Sequence, residues 1–420
     1  MKKYLAVLIA LLFATGAFAQ EAEKKAAEFK YSFFGIAYGV MGAQDKEEYD
    51  YSHVRVRPMF TIGNENVKGV VRFEIDQDYG ETSDSTGADK GTDNQVVEVK
   101  WAYMQVKDML VQNLNFTMGL NAYYFPMVVD NDFAMTQAAY DFGMGKAIFT
   151  YMKIDEFNVT ENTDADVNQR DDAQVYAFDL PVKAGAINVR PGFMYISSSQ
   201  DSSTGFDLDL DDVADITVSK AKLYNAALNV NGDFGVVGVD LTGAYLWGTV
   251  NQSGEEIDVA AYAYDALVTI KPVEGISLGL FATYTSGQDD GDEVAAYDLV
   301  MDTFMGACDG RLFLVEAGGV AADGGHTQHD FTDTAAGLAI YGLSVEAAFG
   351  KATILAQYGY ASIADDTYMG DSFIGHEIDF GASYEVAPAT SLFCQFGYIV
   401  AGDIYEDDAY EFAYGLKTSI

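Results

Sequence analysis

Basic residues are scarce: 24 lysines and arginines stand against 64 aspartates and glutamates in 420 residues, a formal charge of -40. A field of that sign repels nucleic acid and other polyanions, which excludes a nucleic-acid partner, and it draws cations in. Cysteine is scarcer still. Cys308 and Cys394 are too few to build a disulfide scaffold. The six prolines form no linker, there is no low-complexity tract, and composition does not shift between the halves. A length that ordinarily suggests two or three soluble domains therefore reads as one. After Gln20 no apolar run reaches the ~20 residues that a spanning helix needs, and mean hydropathy is near zero. If the chain enters a membrane, it does so without helices.

The N-terminus is the one place with a sustained apolar run. Lys2 and Lys3 precede the stretch from Tyr4 to Phe13, and small residues end at Ala17-Phe18-Ala19. That order marks residues 1–19 as a cleaved signal peptide, with a mature domain over 20–420.

Glycine (41), tyrosine (28) and phenylalanine (27) are plentiful, as in a β-rich chain with many turns. The decisive signal is alternation with a period of two. From Val67 to Asp78 the odd positions are Val67, Gly69, Val71, Phe73 and Ile75, while Lys68, Arg72, Glu74 and Asp76 occupy even ones. The pattern recurs from Leu114 to Ala122, from Ile276 to Tyr284 and from Tyr410 to the end. The polar face is rich in Gly, Ala, Ser, Thr, Asn and charge, which suits a wet lumen; the oily face must then look at lipid. Tyrosines, with Trp101 and Trp247, fall near strand ends, where interfacial girdles belong.

Connections also alternate. Short ones lie at 63–66, 108–113, 142–145, 181–185, 231–233, 271–275, 349–351 and 387–390; long ones at 80–94, 155–171, 199–221 and 288–330, with smaller loops near Asp45, Phe125, Asn251, Asp365 and Asp403. The expected fold is all-β: a transmembrane up-and-down antiparallel barrel of 16 to 18 strands, with short periplasmic turns and long extracellular loops.

The chain resembles the bacterial outer-membrane homotrimeric porins. The likeness is clearest over His53-Val54-Arg55-Val56-Arg57-Pro58-Met59-Phe60, Asn64 to Ile75, the loop with Gly87 and Asp89, and Val96 to Tyr103; a weaker likeness covers Ala138 to Phe142. The first third matches in detail and the rest in pattern. The resemblance implies a homotrimer that passes small hydrophilic solutes passively. Tyr410, Phe412, Tyr414 and Leu416 fit the alternating C-terminal barrel-assembly signal, from which Thr418 and Ile420 depart.

If Gly63 to Asn66 closes a tight hairpin, Arg57 faces Arg72, Arg55 faces Glu74 and His53 faces Asp76. Opposed arginines are unfavourable alone, so an acidic group belongs nearby. One reading places Arg55, Arg57, Lys68, Arg72 and Lys100, with Glu74, Asp76 and Glu98, at a constriction opposite an inward-folded acidic loop. The other leaves the arginines solvated or paired with Glu74 and Glu98 on the wall. Acidic candidates are Asp207, Asp209, Asp211, Asp212 and Asp215, and the loop with Asp289, Asp290, Asp292 and Glu293. The Asp-x-Asp-x-Asp spacing lacks the glycine and distal glutamate of a calcium loop. His326 and His329 leave the ligand count of a metal site short, and none of the four histidines sits in a nucleophile motif, so neither a metal, a cofactor nor an enzymatic activity is expected. The expected function is a water-filled, cation-preferring pore. Its partners are outer-membrane lipid, lipopolysaccharide, small hydrophilic solutes and cations. A substrate-selective porin and an exported soluble adhesin are the alternatives.

Overall fold

Apolar and polar residues alternating along nearly every segment leave the backbone one economical solution, a sheet oily on one side and wet on the other. In oil, every backbone N–H and C=O must find a partner, so such a sheet has to close. It does. The computed structural model describes residues 27–44, 47–81, 97–155, 173–198, 204–206, 216–252, 255–288, 293–298, 300–301, 311–316, 336–367, 371–404 and 407–420.

The strands are β1 (Glu28–Gln44), β2 (Glu47–Gly63), β3 (Val67–Glu81), β4 (Val97–Val106), β5 (Leu114–Phe125), β6 (Val129–Asp141), β7 (Lys146–Asp155), β8 (Ala173–Asp179), β9 (Val182–Ala184), β10 (Ile187–Ser198), β11 (Thr204–Phe206), β12 (Ile216–Asp233), β13 (Val237–Gln252), β14 (Glu255–Val273), β15 (Ile276–Thr285), β16 (Leu338–Phe349), β17 (Ala352–Ile363), β18 (Phe373–Ala387), β19 (Thr390–Ala401) and β20 (Ala409–Ser419). Both β8 and β9 pair with β10, so they form one stave; β11 extends β10 along β12. Eighteen staves result, each antiparallel to the next, and β20 returns to β1 from Phe34↔Ser419 to Ala43↔Tyr410. The upper strand count is the observed one. All eight expected turns fall at one end and the four long connections at the other, where β1–β2 and β13–β14 are also joined, by two residues each.

Large hydrophobic side chains cover the outside: Leu228, Leu241, Leu280, Leu343 and Phe380 are all exposed. Near the loop end the outer wall carries an aromatic belt built by strand register. Tyr151 faces Tyr176, Tyr176 faces Tyr195, Tyr195 faces Tyr224, and Tyr224 faces Trp247. Their ring centroids lie 5.0 to 6.3 Å apart. The belt continues through Tyr245↔Tyr262, Tyr264↔Tyr284, Tyr341↔Tyr360 and Tyr398↔Tyr410. Trp247 thus stands where a girdle needs it. Trp101 does not: it is opposite the inward-facing Arg72 and donates its indole N–H to Asp132 at 2.7 Å.

The interior is not an empty tube. Beyond Leu120 and Ala134, β5 loses its pairing to β4 and β6 loses its pairing to β7, so residues 121–133 lean inward as a hairpin. Its Phe125 ring rests on Gly192 of β10, four staves away around the wall, where an added Cβ would lie 2.4 Å from that ring. After β15 the chain also enters the barrel. Val294 bridges Val259 in parallel, and the Tyr297 hydroxyl donates to the Met127 carbonyl at 2.8 Å at the hairpin tip. Val294, Ala296, Tyr297, Val300 and Met301 join inward side chains of the wall in one apolar cluster. Leu312, Leu314 and Val315 form a second with Phe281, Ile340, Ala361 and Ile399. The wet lumen expected from a face rich in small and polar residues thus also holds apolar segments of the chain itself.

Candidate functional site

The charged face of β2, β3 and β4 is set by the first hairpin. The Asn64 side chain accepts from the Asn66 and Val67 amides at 3.0 and 2.9 Å, and the Asn64 amide donates to the Val67 carbonyl. The two-residue loop is thus Glu65-Asn66, one residue later on each side than the expected closure. Arg55 consequently faces Asp76 and Met59 faces Arg72. The opposed arginines of the sequence reading do not occur.

In their place runs a chain of opposite charges along the inner wall. Arg55 binds Asp76 at 2.5 Å, and Asp76 also lies 3.1 Å from His53 Nε2. Arg57 is paired with Glu74, and Lys100 reaches Glu74 at 3.1 Å and Asp132 at 3.2 Å. Lys100 sits where the register between β3 and β4 slips, which leaves it a bulge residue able to reach two carboxylates on different elements. Arg72 stacks over Trp101, 4.3 Å from guanidinium carbon to ring centroid. Lys68 is at the turn end, 6.0 Å from the Tyr103 ring. Glu98 faces Glu74 in register and is exposed.

The acid that meets this wall is Asp132, on the leaning hairpin, a residue that sequence reasoning did not single out. Its only signal there was a small loop near Phe125. The hairpin's other face is pinned to the wall at β8 and β10: Tyr123 donates to Asp179 at 2.6 Å, Asp179 lies 3.4 Å from Arg190, and Arg190 stacks on Phe125. Asp207, Asp209, Asp211, Asp212 and Asp215 lie outside the described residues, as do Asp289, Asp290, Asp292, Cys308, His326 and His329. Among the described residues no cluster of His, Cys, Asp and Glu is arranged to hold a metal.

A second anchoring point fixes the hook formed by residues 311–316. Glu377 accepts the Leu314 and Val315 amides at 2.7 and 3.0 Å, and Asp379 accepts the Phe313 amide at 3.3 Å. Glu316 turns back to accept the Arg311 and Leu312 amides, while the Arg311 guanidinium is clamped to Asp265. Leu312 lies over Gly359 and Leu314 over Gly397, positions where an added Cβ would come within 2.4 and 3.0 Å of these side chains. The absence of two side chains from the wall is what seats the hook.

A closed antiparallel barrel with an oily outer belt and ionised groups inside has the fold of the bacterial outer-membrane porins. No protein-family model and no curated protein matches the sequence. Solved structures similar to it include Pseudomonas aeruginosa OccK2 (OpdF), with a TM-score of 0.58 and 10% identity over 94% of this chain and 98% of that one. OccK3 (OpdO) from the same organism gives 0.57 and 11% over 94% and 96%. Acinetobacter baumannii OccAB1 gives 0.57 and 13% over 95% and 98%. The likeness is one of fold.

Proposed function

We propose that the chain is an outer-membrane porin that lets small hydrophilic solutes diffuse passively, with a preference for cations, as a homotrimer set in outer-membrane lipid and lipopolysaccharide after removal of residues 1–19. One observation carries the reading: arginine, lysine and carboxylate side chains line the inside of a barrel whose outside is oily. Charges in a dry core cost far more than they return, so a wall holding Arg55, Arg57, Arg72, Lys100, Glu74, Asp76 and, across from it, Asp132 belongs to a hydrated passage. The mechanism needs no chemistry. The polar wall replaces bulk water, the leaning hairpin and the hook restrict size, and fixed charge biases by sign. Arg55, Arg57, Arg72, Lys100, Glu74 and Asp76 are the residues this reading puts at the narrow zone. Lys68 and Glu98 flank it.

A substrate-selective porin is the second reading, and the apolar segments packed inside the barrel favour it, because a narrowed passage beside a charged wall has room for selection by fit. Single-channel conductance of the purified protein in a planar bilayer tests the first reading, since a protein that forms no conducting unit ends it. Liposome swelling separates the two, because flux that saturates with one solute class supports selection and linear flux for all small solutes supports general diffusion. Quantitative extraction without detergent would leave an exported soluble protein instead.

A further inference from the structure

One pleat above the aromatic belt, toward the loop end, the outer wall carries a polar row in continuous register. Lys153 faces Gln174, Gln174 faces Ser197, Ser197 faces Lys222, and Lys222 faces Thr249. The outward direction follows from neighbours on the same strands. Met152 and Leu223 are fully buried inside, whereas Tyr151 and Tyr224, two residues before and after these lysines, are belt residues on the outside. Lys222 is exposed. In a chain whose formal charge is -40, the described lysines Lys271 and Lys417 lie at the turn end of their strands and Lys351 in a turn, while Lys220 stands beyond Lys222 at a bulge in β12. Asp258 stands beyond Thr249 and closes the row on that side.

From this placement we infer that the outer face of β7, β8, β10 and β12 binds the phosphorylated headgroup of an outer-leaflet glycolipid, with Lys153 and Lys222 as the two phosphate ligands and Gln174, Ser197 and Thr249 as hydrogen-bonding partners. Belt rings mark the level where acyl chains give way to headgroups, so cations one pleat higher stand at phosphate depth. Neighbouring strands are ~4.8 Å apart, which sets the two lysines roughly 14 Å from each other along the sheet. That span suits a headgroup carrying more than one phosphate and exceeds what one inorganic phosphate can bridge. The inference rests on the porin reading, which makes the loop end the outer face.

The test uses the full purified protein in detergent, titrated with lipopolysaccharide and with the same lipopolysaccharide enzymatically dephosphorylated. Each lysine near a charged headgroup is worth ~1 kcal/mol, or about fivefold in affinity, so Lys153→Gln with Lys222→Gln should weaken binding roughly twenty-five-fold. Dephosphorylated lipid should bind the unaltered protein about as weakly, and Lys271→Gln with Lys351→Gln should change nothing. Equal affinity for both lipids, wild-type affinity in the Lys153/Lys222 variant, or displacement by inorganic phosphate at matched concentration would each overturn the site. The conductance of the same samples keeps the two readings apart: a conducting barrel that fails the titration removes the site alone, and a non-conducting one removes the pore.

Discussion

Glu316 is the residue on which the hook closes. It is buried inside the barrel, and burial pushes its carboxyl above the ordinary range, opposed by the Leu312 amide and the Arg311 charge. A carboxyl whose docked form holds its proton more tightly contributes fully below the usual glutamate range and loses that contribution as pH rises through the raised value. Tryptic cleavage after Arg311, taken at each pH relative to cleavage of an unstructured arginine peptide, should therefore be slowest in mild acid and quicken as pH rises. Glu316→Gln, a stand-in for the protonated form, should flatten that dependence while keeping the hook seated; Glu316→Ala, which strands two amides, should loosen it by ~1–3 kcal/mol at every pH. A glutamine variant with the wild-type profile would remove Glu316 as the responsible group. Gly359 gives the steric counterpart. Gly359→Phe puts a ring where Leu312 lies, so the hook should leave its seat at the loss of ~1.5–3 kcal/mol of apolar burial, and single-channel conductance should rise with the barrel intact.

At the level of elements, the leaning hairpin turns on Gly119. Its φ of +134° is one that side-chain-bearing residues rarely adopt, and an added Cβ would lie 2.2 Å from the Ala102 carbonyl oxygen, backbone that has nowhere to go. Gly119→Ala should cost ~1–3 kcal/mol, seen as a lower temperature for the heat-induced mobility shift of the folded barrel on a gel. Gly243→Ala, where nothing lies within 4 Å, is the control and should leave that temperature unchanged. The strands and turns of this barrel were legible in the sequence because period-two alternation is forced wherever lipid lies on one side and water on the other, and each short turn carries its own punctuation. The pairing of Arg55 was misread by one step on each strand, because either Asn64-Glu65 or Glu65-Asn66 makes a two-residue loop and the choice lies in the Asn64 side chain. Trp101 was misplaced for a related reason: the bulge at Lys100 is invisible to a period-two count. The hairpin at 121–133 breaks the alternation, with an unbroken apolar run from Ala122 to Val129 and then Asp130-Asn131-Asp132, but such a run reads equally as a small loop near Phe125 and does not say where it packs. Its departure is fixed by Tyr123, Phe125 and Tyr297 finding partners far away in sequence, as the seats of the hook are fixed by Gly359 and Gly397.

At the scale of the whole molecule, two charge distributions compete over ion selectivity. The chain carries a formal charge of -40, and long loops at one end hold much of the excess acid; the inner wall of β2 to β4 holds Arg55, Arg57, Arg72 and Lys100 against Glu74 and Asp76, with Asp132 facing them. Charge acting across water is screened over ~8 Å at physiological salt and ~3 Å at 1 M, so on the proposed reading the contribution of the loop acids fades with salt faster than that of wall charges beside the solute. Reversal potentials in a salt gradient should accordingly show the strongest cation preference at low ionic strength and a weaker one as salt rises. Replacing Arg55, Arg57 and Arg72 by glutamine removes wall charge that opposes the loops, so cation preference should grow and should survive at high salt, where Glu74, Asp76 and Asp132 outnumber the remaining Lys100. An anion preference in the unaltered protein would mean that the wall outweighs the loops, and the cation-preferring part of the reading would be withdrawn. Unaltered selectivity and conductance in the triple variant would place these arginines away from the solute's path.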